Sequence, residues 1–330
     1  MGAAKIILST LPEWAKEIPY QIKKIAVEDA YKAFSNGCKK WKKTGEPFSL
    51  SFRSGKDPKQ SCFIPSSAVK PIGVYPTILG KLKMTESIPE NFRDCRLVCE
   101  HGRYFLIVPF KAKIARAENQ GEARMVALDP GIRTFLTGHS QDEAFKIGET
   151  DFMRIARMGR NMDKLISKMS KAKSRQKYRM KKALSRMKFK VWDLIDELHW
   201  KSIRFLLDNY DMIFLPTFNT SEMVAKSTRK IRSKTVRAMM GFSFHKFGMR
   251  LETKAKELGK MVLRVSEAYT SKTASWTGEI KKIGGAKTIT SNGITVDRDV
   301  NGGRGILIKS VRELFPELCE VSPATISVAA

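Results

Sequence analysis

Acidic residues are scarce in this chain: 33 Asp and Glu stand against 61 Lys and Arg in 330 residues, a formal charge of +28. The pI near 10.0 reflects far more positive charge than solubility requires and points to a polyanionic partner. Neutralising phosphates releases counterions and gives strong, salt-dependent, largely sequence-blind affinity, so the charge predicts nucleic acid without saying which kind. An anionic membrane surface is the alternative. Cysteine is sparse too. Five residues, Cys38, Cys62, Cys95, Cys99 and Cys319, are an odd number at irregular spacing, which argues against a disulfide framework and for a reducing, cytoplasmic compartment. Cys95, Cys99 and His101 in DCRLVCEHG fit no common zinc spacing, and the segment alternates like a strand, so these thiols read as core or surface residues. No apolar run reaches the length of a membrane span, and no secretory leader pattern appears. Internal repeats and low-complexity stretches are also missing. What remains is 42% hydrophobic residues, ample for one large or two to three smaller globular domains.

From Pro19 to Lys43 apolar residues recur at helical spacing (Ile22, Ile25, Ala26, Ala30, Ala33, Phe34), which predicts an amphipathic helix. After Gly45, short alternating runs punctuated by Gly and Pro predict a small antiparallel barrel or sheet, closed off by the linker ARAENQGEAR near residues 115 to 124. From Met125 the pattern predicts strands MVALD, IRTFLTG and AFKIG, a long helical region to about Leu207, and strand MIFLPTF. A helix from about Lys234 to Leu258, strand MVLRVSEAY, a Gly-rich connection and a terminal helix follow. That order suits an RNase H-like fold, so the expected class is α+β: a β domain followed by an RNase H-like α/β domain with long basic helices.

Two features carry chemistry. Asp129 ends the apolar run MVALD, and Asp297 and Asp299 sit at a predicted loop-to-helix junction, so acids from separate elements could converge on a pair of divalent cations. Residues 153 to 190 hold 15 Lys and Arg against one acid, Asp163, which intrahelical ion pairs cannot balance. Met158, Met162, Leu165, Ile166 and Met169 supply an apolar stripe there, leaving Arg160, Lys164, Lys168, Lys171, Arg175 and Arg179 outward as a phosphate-tracking face. Lys226 to Arg237 is a second basic segment, with Lys226, Arg229 and Lys230 beyond the fourth strand. His199, a lone histidine among apolar neighbours, reads as a satisfied core residue.

The strings ALDPGIRTFLTG, YDMIFLPTFNTSEM, YTSKTASWTGEI and VDRDVNGGRGI resemble, in order and spacing, the TnpB family of transposon-encoded RNA-guided nucleases, over about residues 10 to 310. Variants related to Fanzor proteins, with a Leu-Pro-x-Phe-Glu-Thr pattern, are especially similar. The resemblance implies a partial recognition segment at 1–44, a wedge-like β-barrel at 45–118, and a RuvC-like domain at 119–330 with a zinc-ribbon insertion at 270–296. It also implies that a leading wedge strand and part of the recognition helices lie outside this chain. The implied partners are a guide RNA and a double-stranded DNA target, and the implied metal is Mg2+ on Asp129 and Asp299, with Asp297 the alternative to Asp299. The family's second acid, a glutamate, falls on Asn219, whose amide carries no charge; Glu222, one turn on, is a candidate replacement. The family's four zinc cysteines fall on Ala274, Thr277, Ile289 and Asn292, none of which supplies a thiolate, so zinc is not expected and the insertion should be a loose or repacked loop. Gly302, Gly303 and Gly305 should weaken the helix that aims Asp299. Lys272, in the retained string Ser271-Lys272-Thr273, is a further candidate contact to nucleic acid. The favoured reading is RNA-guided DNA binding with cleavage lost or weakened. An active Mg2+-dependent endonuclease and a decaying remnant that binds nucleic acid nonspecifically are the alternatives.

Overall fold

The computed structural model describes residues 10–316 apart from 52, 53, 56, 58, 113, 116–122, 218–232 and 285. Asn219, Glu222, Lys226, Arg229 and Lys230 therefore lie outside the described residues. The chain forms two compact units that meet between Ala112 and Lys113.

In the first unit, helix α1 (Tyr20–Thr44) starts after Pro19 and stops at Gly45, whose left-handed backbone (φ 70°) lets its N–H reach the Trp41 carbonyl at 2.8 Å. The strands β1 (Lys59–Ile64), β2 (Val69–Lys70), β3 (Gly73–Val74), β4 (Cys95–Glu100) and β5 (Arg103–Ile107) follow, with a single helical turn α2 (Pro76–Leu79) after β3. They make an antiparallel three-stranded sheet, β1-β4-β5, and a separate β2-β3 ladder. This corrects the expectation of a barrel: among the described residues no sheet closes. Pro65, Pro71, Pro76 and Pro89 withhold ladder donors between β1 and β4, which keeps the intervening strands to two residues each. Ile64, Val69, Val74 and Cys95 form the buried centre, with Ile22 of α1 packed against it. Cys95 and Cys99 are free thiols on β4, one buried and one partly so.

The second unit is built on β6 (Met125–Pro130), β7 (Leu136–Ser140), β8 (Ala144–Ile147), β9 (Met212–Pro216) and β10 (Met261–Val265), in the order β10-β9-β6-β7-β8. β6, β7 and β8 are an antiparallel meander, whereas β9 and β10 run parallel to β6. Helices α3 (Asp151–Ser170), α4 (Ser174–Asn209), α5 (Ser233–Phe242) and α6 (Phe244–Glu257) fill the connections, and α7 (Arg298–Leu314) ends the described chain. Both faces of the sheet are covered, which is why the central strands read as continuous apolar runs. Val126, Leu128, Ile213 and Leu215 join one core with residues of α4, α5 and α6, while Ala127, Met212 and Phe214 join another with Ile306 and Leu307 of α7. Alternation along β6 therefore places Asp129 on the face of Ala127, under α7.

Two expected helices are each divided. The basic region breaks at Lys171–Lys173 into α3 and α4, and the 234–258 helix breaks at Ser243, which has φ 52°. Past the second break, Phe244 and Phe247 turn inward around Phe135, with ring centroids 5.3 and 5.1 Å away. Such pairs contribute about 0.5–1.5 kcal/mol each beyond area burial, enough to offset one residue in the left-handed region. His199 is fully buried there: Arg250 donates to its Nδ1 (3.2 Å) and its Nε2 bonds the Phe242 carbonyl (2.8 Å).

Candidate active site

The parallel register fixes where the strands end. Met125 of β6, Met212 of β9 and Met261 of β10 are level, so Asp129, the residues after Pro216 and the residues after Val265 all emerge at one edge of the sheet. In open sheets with parallel strands, the carboxyl ends of those strands are where ligands bind. Asp129 leaves this edge toward α7.

α7 begins at the same edge. Asp297 caps it, its Oδ1 accepting from the Asp299 and Val300 amides at 2.9 and 3.3 Å, and its Oδ2 accepts from Lys146 Nζ of β8 at 2.8 Å. Burial alone would raise the Asp297 pKa, but Lys146 and the two amides together hold it below the ordinary carboxylate value. That carboxylate is occupied as a cap. Asp299, in the first turn at the dipole's positive end, is engaged among the described residues only by its neighbour Arg298, at 3.5 Å.

The glycines expected to weaken α7 have a different role. A Cβ at Gly302 would stand 2.5 Å from Asp129 Oδ2, one at Gly303 would be 3.3 Å from His139 Cβ, and one at Gly305 would be 3.2 Å from Thr270 Cβ. The missing side chains let α7 lie directly on β6 and β7, with the Asp129 carboxylate against the helix.

Glu267, absent from the sequence-based set, lies at this edge, two residues beyond β10. Burial raises its pKa. Asp129 is pushed up to about 7, first by burial, then by the Glu267 and Asp299 carboxylates, against a smaller lowering by Arg298. Three acids from β6, the end of β10 and α7 thus share one electrostatic neighbourhood. A sequence signal for Glu267 exists: MVLRVSEAY closes an apolar strand with an acid immediately before the YTSKT string. Among the described residues no three His, Cys, Asp or Glu side chains gather tightly enough to hold one ion.

The 270–296 segment is held by apolar side chains and hydroxyl hydrogen bonds. Ala274 and Ile289 are buried, and the Thr277 hydroxyl meets Ser291 Oγ at 3.0 Å. Ser291 Oγ in turn donates to Glu279 Oε2 at 2.7 Å. A hairpin of β11 (Thr288–Ser291) and β12 (Ile294–Asp297) turns through Asn292 and Gly293, both left-handed, so Asn292 is a turn residue. Asn301 of α7 ties the segment down, its Oδ1 accepting from the Ser275 amide (2.9 Å) and its Nδ2 donating to the Thr273 carbonyl (2.9 Å).

Arg160, Lys164 and Lys168 on α3, Lys171 at the break and Arg175 and Arg179 on α4 are all exposed, as is Lys272 in the turn after β10. Asp163, the only acid among them in sequence, pairs with Arg237 of α5. No helix of the described residues is long and apolar enough to cross a membrane.

Residues 244–306 match the family model described as Cas12f1-like, TNB domain. The chain is 28% identical over 72% of its length to a putative transposase of Paramecium bursaria Chlorella virus 1, covering 55% of that protein. It is 26% identical over 79% of its length to a TnpB-like protein of Acanthamoeba polyphaga mimivirus, covering 51% of it. A second mimivirus TnpB-like protein matches at 26% over 70% of this chain, with 46% of that protein covered. The chain thus spans about half the length of the curated relatives it matches. Among solved structures, a chain of a CRISPR-Cas12f ternary complex is similar at 16% identity and a TM-score of 0.41, over 65% of this chain and 45% of that one. By its matched domain, its viral relatives and its motif order, the chain is similar to TnpB-like proteins.

Proposed function

We propose that this chain is an RNA-guided, Mg2+-dependent nuclease that cuts DNA phosphodiesters, with Asp129, Glu267 and Asp299 as its metal-holding carboxylates. The observation that supports this reading most directly is the coupling of Glu267 and Asp299 to Asp129. It supplies a third acid that the Asn219 position does not. Oxygen donors on three separate elements match the ligand type of a hard divalent cation, and as they stand they would have to draw closer to share one ion. Bound Mg2+ would activate water and neutralise charge on the leaving oxygen. The chain's own residues prepare for that. Gly302 leaves the Asp129 carboxylate room, Asp297 and Lys146 fix the start of α7, in whose first turn Asp299 sits, and Asp129 would give up its proton on holding a cation. The wedge-like role of the first unit, the nuclease role of the second and the phosphate-tracking role of Arg160, Lys164, Lys168, Lys171, Arg175 and Arg179 belong to this proposal. Guide RNA and target DNA are its partners.

The second reading, guided binding without cutting, is favoured by the neutral amide of Asn219. One experiment separates the two. The full chain, purified with the RNA it retains, is incubated with DNA matching that RNA in Mg2+ or Mn2+. Cleavage lost in Asp129→Asn and Glu267→Gln, and unaltered by Asn219→Glu, is the expected outcome. Cutting that appears only on Asn219→Glu would establish the acid-deficient reading, and bulk rather than discrete RNA in the preparation would favour a remnant.

A further inference from the structure

The amphipathic helix α3 is unusual in that none of its 20 residues is buried. Phe152, Ile155, Met162 and Ile166 fall on one stripe, with Gly159 between them, and a stripe of this kind ordinarily faces a core. Phe152 and Ile155 reach the main core at one end of it, and α4 packs along one side of the helix. On the side toward α5 lies a cleft of about 430 Å3. Small residues open it, Ala156 and Gly159 on α3 and Gly241 on α5, and Met162, Val191 of α4 and the buried Phe242 complete the lining. A Cβ added at Gly159 would meet nothing nearer than the Arg237 guanidinium at 4.0 Å, so the helix surface is bare there. Apolar surface continues past the cleft: Met153, on its α3 wall, is 62% exposed, and Met240, next to Gly241, is 63% exposed.

Charge and shape narrow the occupant. Residues 153 to 190 carry 15 Lys and Arg, and the one acid among them, Asp163, is taken by Arg237 at the rim of the cleft. Arg160, which also lines the cleft, is exposed, and no acid pairs with it among the described residues. The partner is therefore acidic on its flank. The exposed walls are aliphatic and thioether groups with no open aromatic ring, so they give a nucleic-acid base nothing to stack on. Bare apolar area runs beyond the cleft along both helices, farther than a compact small molecule would cover. Two helices flanking an apolar channel with adaptable methionines form a seat for a third helix, anchored at i, i+3, i+4 and i+7. We propose that the cleft between α3 and α5 docks an acidic amphipathic helix of a partner protein, its apolar anchors beside Gly159 and Gly241 and its acidic flank on Arg160. Arg160 belongs to the face proposed to follow phosphates, so the docked helix and nucleic acid exclude one another there. That consequence, though not the docking, rests on the proposed function. A partner of this kind would hold the chain off nucleic acid.

The test uses the full chain at about 0.15 M salt, which damps long-range attraction. The probe is a fluorescent peptide of about 18 residues with Leu at i, i+3, i+4 and i+7 and Glu on the opposite face. A second peptide of identical composition, its Leu positions scattered, controls for charge alone. Anisotropy should show the patterned peptide binding about ten-fold tighter than the scattered one. Gly159→Leu, which fills the cleft, and Arg160→Glu should each weaken the patterned peptide about ten-fold or more, whereas Gly159→Ala should change little. Equal affinity for the two peptides, or unchanged affinity in both Gly159→Leu and Arg160→Glu, would overturn the proposal. Arg160 is at an exposed position, and so its variant reports even where Gly159→Leu fails to fold. A fluorescent oligonucleotide bound beforehand separates the docking from the function it touches. Its release by the patterned peptide supports both. A peptide that binds with the expected losses in the variants while the oligonucleotide stays bound removes the phosphate-following role of Arg160 and leaves the docking site standing.

Discussion

Replacing Gly302 by Ala sets two effects of known size against each other. In a helix interior, Gly to Ala ordinarily stabilises by about 1 kcal/mol, because Ala gives up less backbone freedom on folding. For a domain of about 150–250 residues that is a rise in Tm of roughly 2–4 °C. At this position the added Cβ would stand 2.5 Å from Asp129 Oδ2, closer than any real contact, so the carboxylate must turn or α7 must lift. Rotating a short side chain well off its rotamer costs about 0.5–1.5 kcal/mol, which cancels the propensity gain. Gly302→Ala should therefore leave Tm unchanged or lower.

The decisive readout is metal. A cation held at 100 times its Kd stabilises by about 2.7 kcal/mol, so Mn2+ or Mg2+ should raise the Tm of the parent by several degrees. Displacing the Asp129 carboxylate should abolish that rise in Gly302→Ala. Gly159, in the middle of α3, is the control, because a Cβ added there would meet nothing nearer than the Arg237 guanidinium at 4.0 Å. Gly159→Ala should gain the full helix increment and keep the metal response. Differential scanning fluorimetry with and without metal measures both. A Gly302→Ala protein that melts 2–4 °C higher and still responds to metal would refute the idea that this glycine makes room for the acid.

Three further outcomes follow from the geometry. His199 is buried with its pKa lowered to about 4 by desolvation, so the unfolded chain binds its proton first and stability falls as pH drops from about 6.5 toward 4, by about 3 kcal/mol. Asp129 acts oppositely: raised to about 7, it loses stability as pH climbs from about 4 to 7, by about 4 kcal/mol without metal. Urea melts across that range should be nearly flat for the parent, should fall with rising pH in His199→Gln, and should rise with it in Asp129→Asn. Asp297→Ala removes the α7 cap and should cost about 0.5–2 kcal/mol, together with a weaker metal response; an unaltered melt would deny the cap its role. Reversing Lys164, Lys168 and Arg175 to Glu should weaken nucleic-acid binding uniformly across sequences and reduce its salt dependence, which a titration at several salt concentrations reads.

Much of the second unit is legible in the sequence because its signals are local. The apolar runs, the Pro-Gly turn after Asp129 and the Asp297–Asp299 junction each state their element within a few residues. The engagement of Asp297 by Lys146, 151 residues away in sequence, is a long-range contact that the local pattern does not reveal. Glu267 escapes for a related reason. Its importance comes from the parallel register that levels β10 with β6, and pairing is a long-range property that a strand pattern does not encode. Propensity weighed without packing misjudges the glycines of α7; what they lose in helix stability they return as closeness between helix and sheet. In the first unit the alternation suggests a barrel, and the proline spacing, equally visible, limits it to an open sheet.

The 270–296 segment bears on how the acids are held together. Here the segment is fixed by Ala274 and Ile289 in its interior and by the Thr277–Ser291–Glu279 chain of hydrogen bonds. It is docked by one buried side chain, Asn301, which reaches both Ser275 and Thr273 from the helix that carries Asp299. Asn301 also lies within 3.5 Å of the Thr270 carbonyl, three residues after Glu267. The two acids that raise the Asp129 pKa are therefore on stretches of chain joined through a single amide. A buried amide with all of these partners is costly to replace, since removing it leaves two carbonyls and an N–H unsatisfied at about 1–3 kcal/mol each. The spacing between Glu267 and Asp299 is then a property of this hydrogen-bonded segment.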